Sequence, residues 1–570
     1  MEERKNFKAW PKGRPKALHY PSIPVYQFLN STAARFPDQV AMRFAGMELT
    51  YQDLLNLSHK FAHALKARGV KKGDRVAIHL PNCPQFAIAY YGLLKLGAIF
   101  VPCSPLMVER ELAYQLNDSG AETLLTLDLL FGTVEKILDQ TSIRHLIVTS
   151  LADVYPPVAA PIRLLRKVPI GRGEDFLSLL EEGSTDPINV EIDPRKDLAH
   201  LAYTGGTTGL SKGVMLTHFN VIANVTQASH WYAGGDISYQ DGLLKPDRTL
   251  LEKEMPGTPQ PMAEGRTTLV VVPWFHGMGT IGYMNNVIYS ANTMIVYPRF
   301  DPVEYIRGVE KYKADMLGGA PQLYIPLVQN PEFRNWDLSR IKLAISGAAP
   351  LPVPILNQML DVFSGVVSEG YGLTEITMAC TLNPPTREGL KPGSVGIPIF
   401  DTYLKVIDLN TGEVLLPGQE GEICIKGPQC MQGYWQKPEE TAQVLIDGWV
   451  HSGDIGYEDE DGYFYITDRK KDLIIYKGYN VYPRQLEEVL YEHPDVAYCG
   501  VVGKKDEKGG EIPVAFVQRK PNTDPRPEEI MEFVNQRVAH YKHVREVRLI
   551  DAIPVSAAGK VLKRELKNLL

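Results

Sequence analysis

The run Thr204-Gly-Gly-Thr-Thr-Gly-Leu-Ser-Lys212 has the composition of a phosphate cradle. Gly205, Gly206 and Gly209 let backbone N–H groups converge on an anion. Thr204, Thr207, Thr208 and Ser211 add hydroxyl donors, and Lys212 adds a positive charge. It is not a Walker A loop, because no glycine directly precedes Lys212 and no Ser or Thr follows it. A flexible Gly/Thr turn has a similar composition; the hydroxyl density and a lysine placed after an apolar strand favour phosphate binding.

Such a loop needs a rigid support. The apolar run Leu198–Thr204 reads as the strand that enters it, and a helix is expected to open at Thr217. The same alternation of short apolar runs (Arg75–Leu80, Ala98–Pro102, Thr268–Pro273, Thr293–Tyr297, Lys342–Ser346) with helical spacing (Tyr51–Arg68, Gln85–Leu96) predicts βαβ units and a mostly parallel sheet. After Lys391 the texture changes to short alternating strands broken by Gly and Pro, such as Thr402–Asp408 and Gly421–Gly427, which read as a barrel-like piece. From about Lys471, helices (Pro483–Glu492, Pro527–His540) mix with strands (Ala497–Val502, Pro513–Gln518). The fold class expected is α/β: a large N-terminal domain of doubly wound βαβ subdomains with a small barrel-like piece, and a small mobile α+β C-terminal domain. The boundaries expected are 1–467, a hinge at 468–472, and 473–570.

A length of 570 residues suits several domains, and a net charge of −7 argues against a dedicated nucleic-acid binder. From Arg469 onward there are 19 Lys+Arg against 15 Asp+Glu, so that part carries +4 and the rest −11. This suits either a basic lid over an anionic ligand or ordinary surface variation. Six cysteines without a CxxC pair exclude a disulfide scaffold or a ribbon-type zinc site. No apolar run is long enough to span a bilayer, and the charged start lacks an apolar stretch behind it. The expectation is a cytoplasmic protein without a transmembrane segment or secretory leader.

The Tyr203–Val214 loop resembles the signature of the adenylate-forming superfamily of acyl-CoA synthetases, aryl-CoA ligases, luciferases and adenylation domains. Further motifs of that superfamily follow in order: Tyr371-Gly-Leu-Thr-Glu375, Ser452-Gly-Asp454, Asp468-Arg-Lys-Lys-Asp472, Tyr476-Lys-Gly-Tyr-Asn480 and Ser556-Ala-Ala-Gly-Lys560. The resemblance therefore covers nearly the whole chain and is nearest to fatty-acid–CoA ligases.

The resemblance implies a two-step ligase. A carboxylate attacks the α-phosphate of ATP to give an acyl-adenylate, and the thiol of CoA then displaces AMP. Cations and hydrogen-bond donors are the catalytic means. The implied roles are as follows. Thr204–Lys212 holds the β- and γ-phosphates, and Thr204 and Glu375 approach Mg²⁺. Thr374 bonds the α-phosphate. Tyr371, flanked by Gly370 and Gly372, stacks on adenine, with Gly347, Ala348 and Ala349 lining the adenine pocket and acyl head. Asp454 accepts the ribose hydroxyls, assisted by Arg469. Lys560 bridges the attacking carboxylate and the α-phosphate. Lys471 is the hinge residue, and Lys477 with Gly478 meets the pantetheine arm of CoA.

Pro273-Trp-Phe-His-Gly277 resembles the segment that fatty-acyl and aryl-CoA ligases place at the acid. No carboxylate lies beside His276, which disfavours an amino acid substrate; His276 near the acid and a hydrogen-bonded structural histidine both fit. The small residues Gly277, Gly279 and Ala348 either leave room for an alkyl chain or mark tight backbone packing. A medium- or long-chain fatty acid is expected, with an aromatic acid as the alternative. Delivery to an acyl carrier protein, in place of CoA, is the other alternative, and no carrier domain is seen after Leu570. The segment Trp231–Arg266 reads as a long loop: a lid, a homodimer contact or an entry portal. Ile162–Val168 is either a weak peripheral membrane contact or a solvated loop.

Overall fold

The computed structural model describes residues 7–153, 167–169, 171–204, 210–255, 260, 263–477, 479–506, 510–556 and 560–570. Gly205, Gly206, Thr207, Thr208, Gly209 and Gly478 lie outside the described residues, as does the run 162–168 apart from Lys167 and Val168.

The alternating strands and helices build two large sheets. One runs Glu174–Asp175, His145–Thr149, Thr123–Leu127, Arg75–His79, Ile99–Pro102, Leu198–Tyr203, Gly213–Thr217, parallel except for the last pair. In the other, Val366–Tyr371, Leu343–Ser346, Met316–Gly319, Thr267–Val270, Thr293–Val296 and Val40–Phe44 are parallel, and antiparallel strands flank them at both edges. These near-continuous apolar strands are buried on both faces by helices, as parallel sheets require. Helix Tyr51–Ala67 starts where Thr50 and Asp53 each bond the other's backbone N–H at 3.0 Å. It packs on helix Pro84–Lys95, every residue of which is buried.

Helix His218–Ala233 is nearly all buried and carries polar side chains into the core. Several are satisfied there: Asn224 donates to the Ala379 carbonyl (2.8 Å) and accepts from its N–H (3.0 Å), and Gln227 donates to the Phe400 carbonyl (2.6 Å). This helix thus fastens the parallel sheets to the smaller antiparallel sheet of Tyr403–Ile407, Gly421–Lys426, Leu445–Ile446, Trp449–Glu458 and Phe464–Arg469. A further sheet contains Ile474–Tyr476, Tyr479–Val481, Val496–Asp506, Gly510–Arg519 and Glu546–Leu549, with helices Pro483–Tyr491, Pro527–Asn535 and Lys563–Asn568 around it.

The helix expected to open at Thr217 does so: Thr217 caps His218–Ala233, at the end of the strand Gly213–Thr217 that pairs antiparallel with Leu198–Tyr203. Two expectations need correction. The stretch 231–266 is not a plain loop: Trp231 lies inside the buried helix, and a hairpin (Asp236–Gln240 with Leu243–Asp247) and helix Thr249–Glu254 follow. The N-terminal segment fastens it, with Arg14 donating to the carbonyls of Trp231 and Tyr232 at 3.0 Å each and Gly13 N–H donating to Glu254 at 2.6 Å. Helix Pro527–Asn535 stops before His540, which lies in a separate short turn.

All six cysteines are free thiols; five are buried and Cys430 nearly so. Among the described residues no helix is long and apolar enough to cross a membrane.

Candidate active site

The carboxyl ends of the parallel strands carry most of the candidate residues, the usual location of a ligand crevice in α/β sheets. Tyr203 leads to Thr204, Ser346 to Gly347–Ala349, and Tyr371 to Thr374 and Glu375. Parallel registers Gly319↔Ser346 and Ser346↔Glu369 bring the last two segments side by side.

Asp454 is the centre of one group. It is 2% exposed and pairs in register with Arg469 on the neighbouring antiparallel strand. Its Oδ1 lies 2.9 Å from Arg469 Nε, and its Oδ2 accepts from the Tyr371 hydroxyl at 2.6 Å. The turn before it is held by Ser452, whose Oγ donates to the Ile423 carbonyl (2.6 Å) and accepts from Asp454 N–H (3.0 Å). Burial opposes the charge on Arg469, but Asp454, Tyr371, Asp472 and Glu375 together outweigh it and keep the guanidinium above its ordinary range.

Lys560 enters this group from the other end of the sequence. Its loop is closed by Ser556 N–H donating to the Lys560 carbonyl (2.7 Å) and Lys560 N–H donating to Ser556 Oγ (3.1 Å). Burial and then Arg469 push the Lys560 ammonium down to about 8, with Asp454 and Asp472 acting the other way. His276 is lowered by burial and then by the charge of Lys560, so the imidazole is neutral at pH 7. Lys471 is lowered by partial desolvation and then by Arg469. The structure therefore gathers Asp454, Arg469, Tyr371, Lys471, Lys560 and His276 into one electrostatic unit. Lys477, by contrast, sits on an exposed turn at φ +50°, its ammonium 5.4 Å from the Tyr476 ring centre.

Glu375 belongs to a second group, with Tyr434 and Lys212. Its Oε1 accepts from the Tyr434 hydroxyl at 2.7 Å, and Lys212 stands 4.8 Å over the same tyrosine ring. The ends of the loop are tied together: Thr204 N–H donates to the Lys212 carbonyl (3.0 Å), Lys212 N–H donates to Thr204 Oγ1 (3.3 Å), and Ser211 Oγ donates to the Thr204 carbonyl. Among the described residues no cluster of three His, Cys, Asp or Glu could hold a metal alone. One carboxylate and one hydroxyl suit Mg²⁺, which is usually bound by few carboxylates together with substrate phosphates.

His276, Gly277, Thr374 and Thr377 line a partly open cavity of about 20 Å³ with Phe100, Phe275 and Ile281, room for a single water-sized molecule. Gly279 does not line it. A Cβ there would lie 2.0 Å from the Pro273 carbonyl oxygen, so Gly279 serves close backbone packing, not space for a chain. Ala348 is exposed at φ +66° and lies outside the cavity lining.

Two residues escaped the sequence reading. Tyr434 carries no motif, and only the fold brings it to Glu375 and Lys212. Thr377 follows two residues after Glu375 at φ +67°, ψ −59°, with Met378 N–H donating to the Ile376 carbonyl at 2.7 Å in a strained γ-turn. Its hydroxyl donates to the Gln429 carbonyl at 2.8 Å.

Residues 29–435 match the AMP-binding enzyme family and residues 485–560 match the AMP-binding enzyme C-terminal domain. The chain belongs to the AMP-binding enzymes. Within that family it is 40% identical to a long-chain-fatty-acid–CoA ligase of Bacillus subtilis (strain 168), covering 99% of this chain and 98% of the relative. It is 35% identical to the ligase of the same name from Escherichia coli O6:H1, covering 94% and 93%. The AMP-binding fold itself is shared with the anthranilate CoA ligase AuaEII, solved in complex with anthranoyl-AMP, at a TM-score of 0.84 and 22% identity over 96% of this chain and 97% of that one.

Proposed function

We propose that this AMP-binding enzyme activates a medium- or long-chain fatty acid with ATP and transfers the acyl group to CoA, releasing AMP and pyrophosphate. The observation that carries the reading is the entry of Lys560 into the Asp454–Arg469 group next to His276. The full-length similarity to the two long-chain-fatty-acid–CoA ligases supports the class of acid.

In the first step a carboxylate oxygen bonds to the α-phosphorus, and the bond to the β-phosphate breaks with its electron pair leaving on pyrophosphate. Negative charge builds on the α-phosphate oxygens, where Lys560 and the Thr374 hydroxyl act. The Tyr371 ring supports adenine, and Asp454 exchanges its bonds to Tyr371 and Arg469 for the ribose hydroxyls. Thr204, Lys212 and the intervening loop hold the outgoing phosphates. Glu375, oriented by Tyr434, and Thr204 would hold Mg²⁺, which supplies charge neutralisation along the phosphates. A neutral His276 beside the cavity can donate or accept a hydrogen bond at the acid without adding charge.

In the second step the thiolate sulfur attacks the acyl carbon, and the bond from that carbon to the AMP oxygen breaks. Lys560 then has no further part, and Lys477 and Gly478 replace it at the site as residues 473–570 turn about 468–472 against residues 1–467. An alkyl chain exceeds the cavity of about 20 Å³ and extends beyond it. Each buried methylene then contributes about 0.8 kcal/mol.

Pyrophosphate release measured with acids from acetate to palmitate and with benzoate tests the reading. Selectivity for chains of medium length or longer, with thioester formed only when CoA is added, is the expected result. A preference for benzoate, or acyl transfer without CoA dependence, would replace it with the aryl-ligase or carrier-loading reading.

A further inference from the structure

Three residues beyond Lys560, a second lysine is placed where a solvated tail residue would not be. Lys563 opens the last helix, and its side chain is 16% exposed. Its Nζ lies 3.1 Å from Glu487 Oε1 and 3.8 Å from Asp468 Oδ1. Both carboxylates are already committed to backbone. Glu487 Oε1 accepts from Val501 N–H at 2.8 Å, Asp468 Oδ2 accepts from Arg484 N–H at 3.0 Å, and Asp468 Oδ1 accepts from Arg469 N–H at 2.7 Å. One ammonium thus joins the end of the Phe464–Arg469 strand, the helix Pro483–Tyr491 and the tail.

These three parts all bear on the active site. Asp468 directly precedes Arg469, the ion partner of Asp454. Between Lys560 and Lys563 the chain has little freedom, because Val555 bridges Val561 and Leu562 N–H donates to the Pro554 carbonyl at 2.9 Å. A shift of Lys563 therefore passes directly to Lys560. The buried cation is also costly to hold unless it returns something, since desolvating an ion pair commonly offsets its attraction.

We propose that Lys563 is a positioning residue for adenylate formation: clasped by Glu487 and Asp468, it fixes Lys560 against the Asp454–Arg469 pair. The inference rests on the role given to Lys560 in the first step. It follows that Lys563 governs the first half-reaction and not the second, in which Lys560 takes no part.

The test separates the halves in the full-length chain. Acid-dependent ATP–pyrophosphate exchange reports the first, and thioester formation from CoA and pre-made palmitoyl-adenylate reports the second. Lys563→Met is expected to slow exchange by about 10- to 100-fold, the scale of a small misplacement of a catalytic group, with KM for ATP little changed. Thioester formation should stay within about twofold, and Lys563→Arg should restore most of the exchange. The single neutral variant leaves two buried carboxylates facing each other, so Lys563→Met with Glu487→Gln is made alongside it. This pair removes both charges and should keep the wild-type melting temperature while exchange remains slow. Equal loss in both halves, or wild-type exchange in the paired variant, overturns the proposal. Wild-type exchange is measured first with the same acid: its absence overturns the functional reading and this inference with it, whereas wild-type rates in the variants overturn the inference alone.

Discussion

Raising the pH should remove the charge of Lys560 well before that of an ordinary lysine. Burial and the neighbouring Arg469 and Lys471 bring its ammonium from 10.5 down to about 8, despite Asp454 and Asp472. About nine-tenths of the free enzyme then carries the charge at pH 7, half at pH 8 and about one-tenth at pH 9. The kcat/KM for acid-dependent ATP–pyrophosphate exchange should fall about tenfold per unit above pH 8. ATP brings negative charge to the same place, so the limb in kcat should lie at higher pH than the limb in kcat/KM. Lys560→Arg, with a guanidinium that stays charged, should lower the plateau but remove the limb. Thioester formation from pre-made adenylate should lack it in both proteins. Stability moves in the opposite direction. The fold binds this proton more weakly than the unfolded chain does, so the penalty is full below pH 8 and is relieved as the pH rises from 8 to 10.5. Lys560→Met should therefore gain stability at pH 7. A wild-type profile flat to pH 10, or an identical limb in Lys560→Arg, would refute the reasoning.

Other expectations follow from particular contacts. Asp454→Asn loses a charged partner for Arg469 and a strong acceptor for ribose, worth about 1.5–3 kcal/mol, and should raise KM for ATP by about 10- to 100-fold in steady-state assays. Tyr434→Phe releases the Glu375 carboxylate and should raise the Mg²⁺ concentration needed for half-maximal exchange by about tenfold, leaving the melting temperature nearly unchanged. Gly372→Ala places a Cβ 1.6 Å from the Met378 carbonyl oxygen and should cost about 3 kcal/mol or more in denaturant titrations. Burial holds His79 and His230 at about 4 and His200 and His218 at about 3, so all four are neutral in the fold. Their stability contribution is complete above pH 6.5 and is lost as pH falls, up to about 5 kcal/mol per unit for four protons; circular dichroism should show cooperative acid unfolding between about pH 6 and 4.

The parallel sheets were legible because their strands are short apolar runs spaced by helices, and the observed limits differ from the expected ones by a few residues. Candidate polar residues such as Asp454, Arg469 and Lys560 were legible because they sit in compact motifs. What escaped depends on contacts between distant segments. Gly279 looked like room for a chain, yet its neighbour is a carbonyl six residues earlier on a tight bend, which composition does not distinguish from an open wall. Segment 231–266 looked irregular because its two helical parts are fastened by Arg14 and Gly13, more than 200 residues away. Tyr434 reaches Glu375 across 59 residues and leaves no local sign. The γ-turn at Thr377 is a β-branched residue in the left-handed region, a placement that local preference argues against and the hydrogen bond to Gln429 helps hold.

The six cysteines acquire a meaning from the intermediate this protein is proposed to make. An acyl-adenylate is an electrophile that any competent sulfur nucleophile will capture. Burial pushes Cys83, Cys103, Cys424 and Cys430 up to about 12 and holds Cys380 and Cys499 well above the ordinary thiol range. Even Cys380, whose sulfur lies 3.5 Å from the Tyr371 carbonyl, stays protonated and out of reach. The protein thereby leaves the incoming pantetheine as the one ionisable sulfur that the mixed anhydride meets, and keeps its own thiols from being acylated.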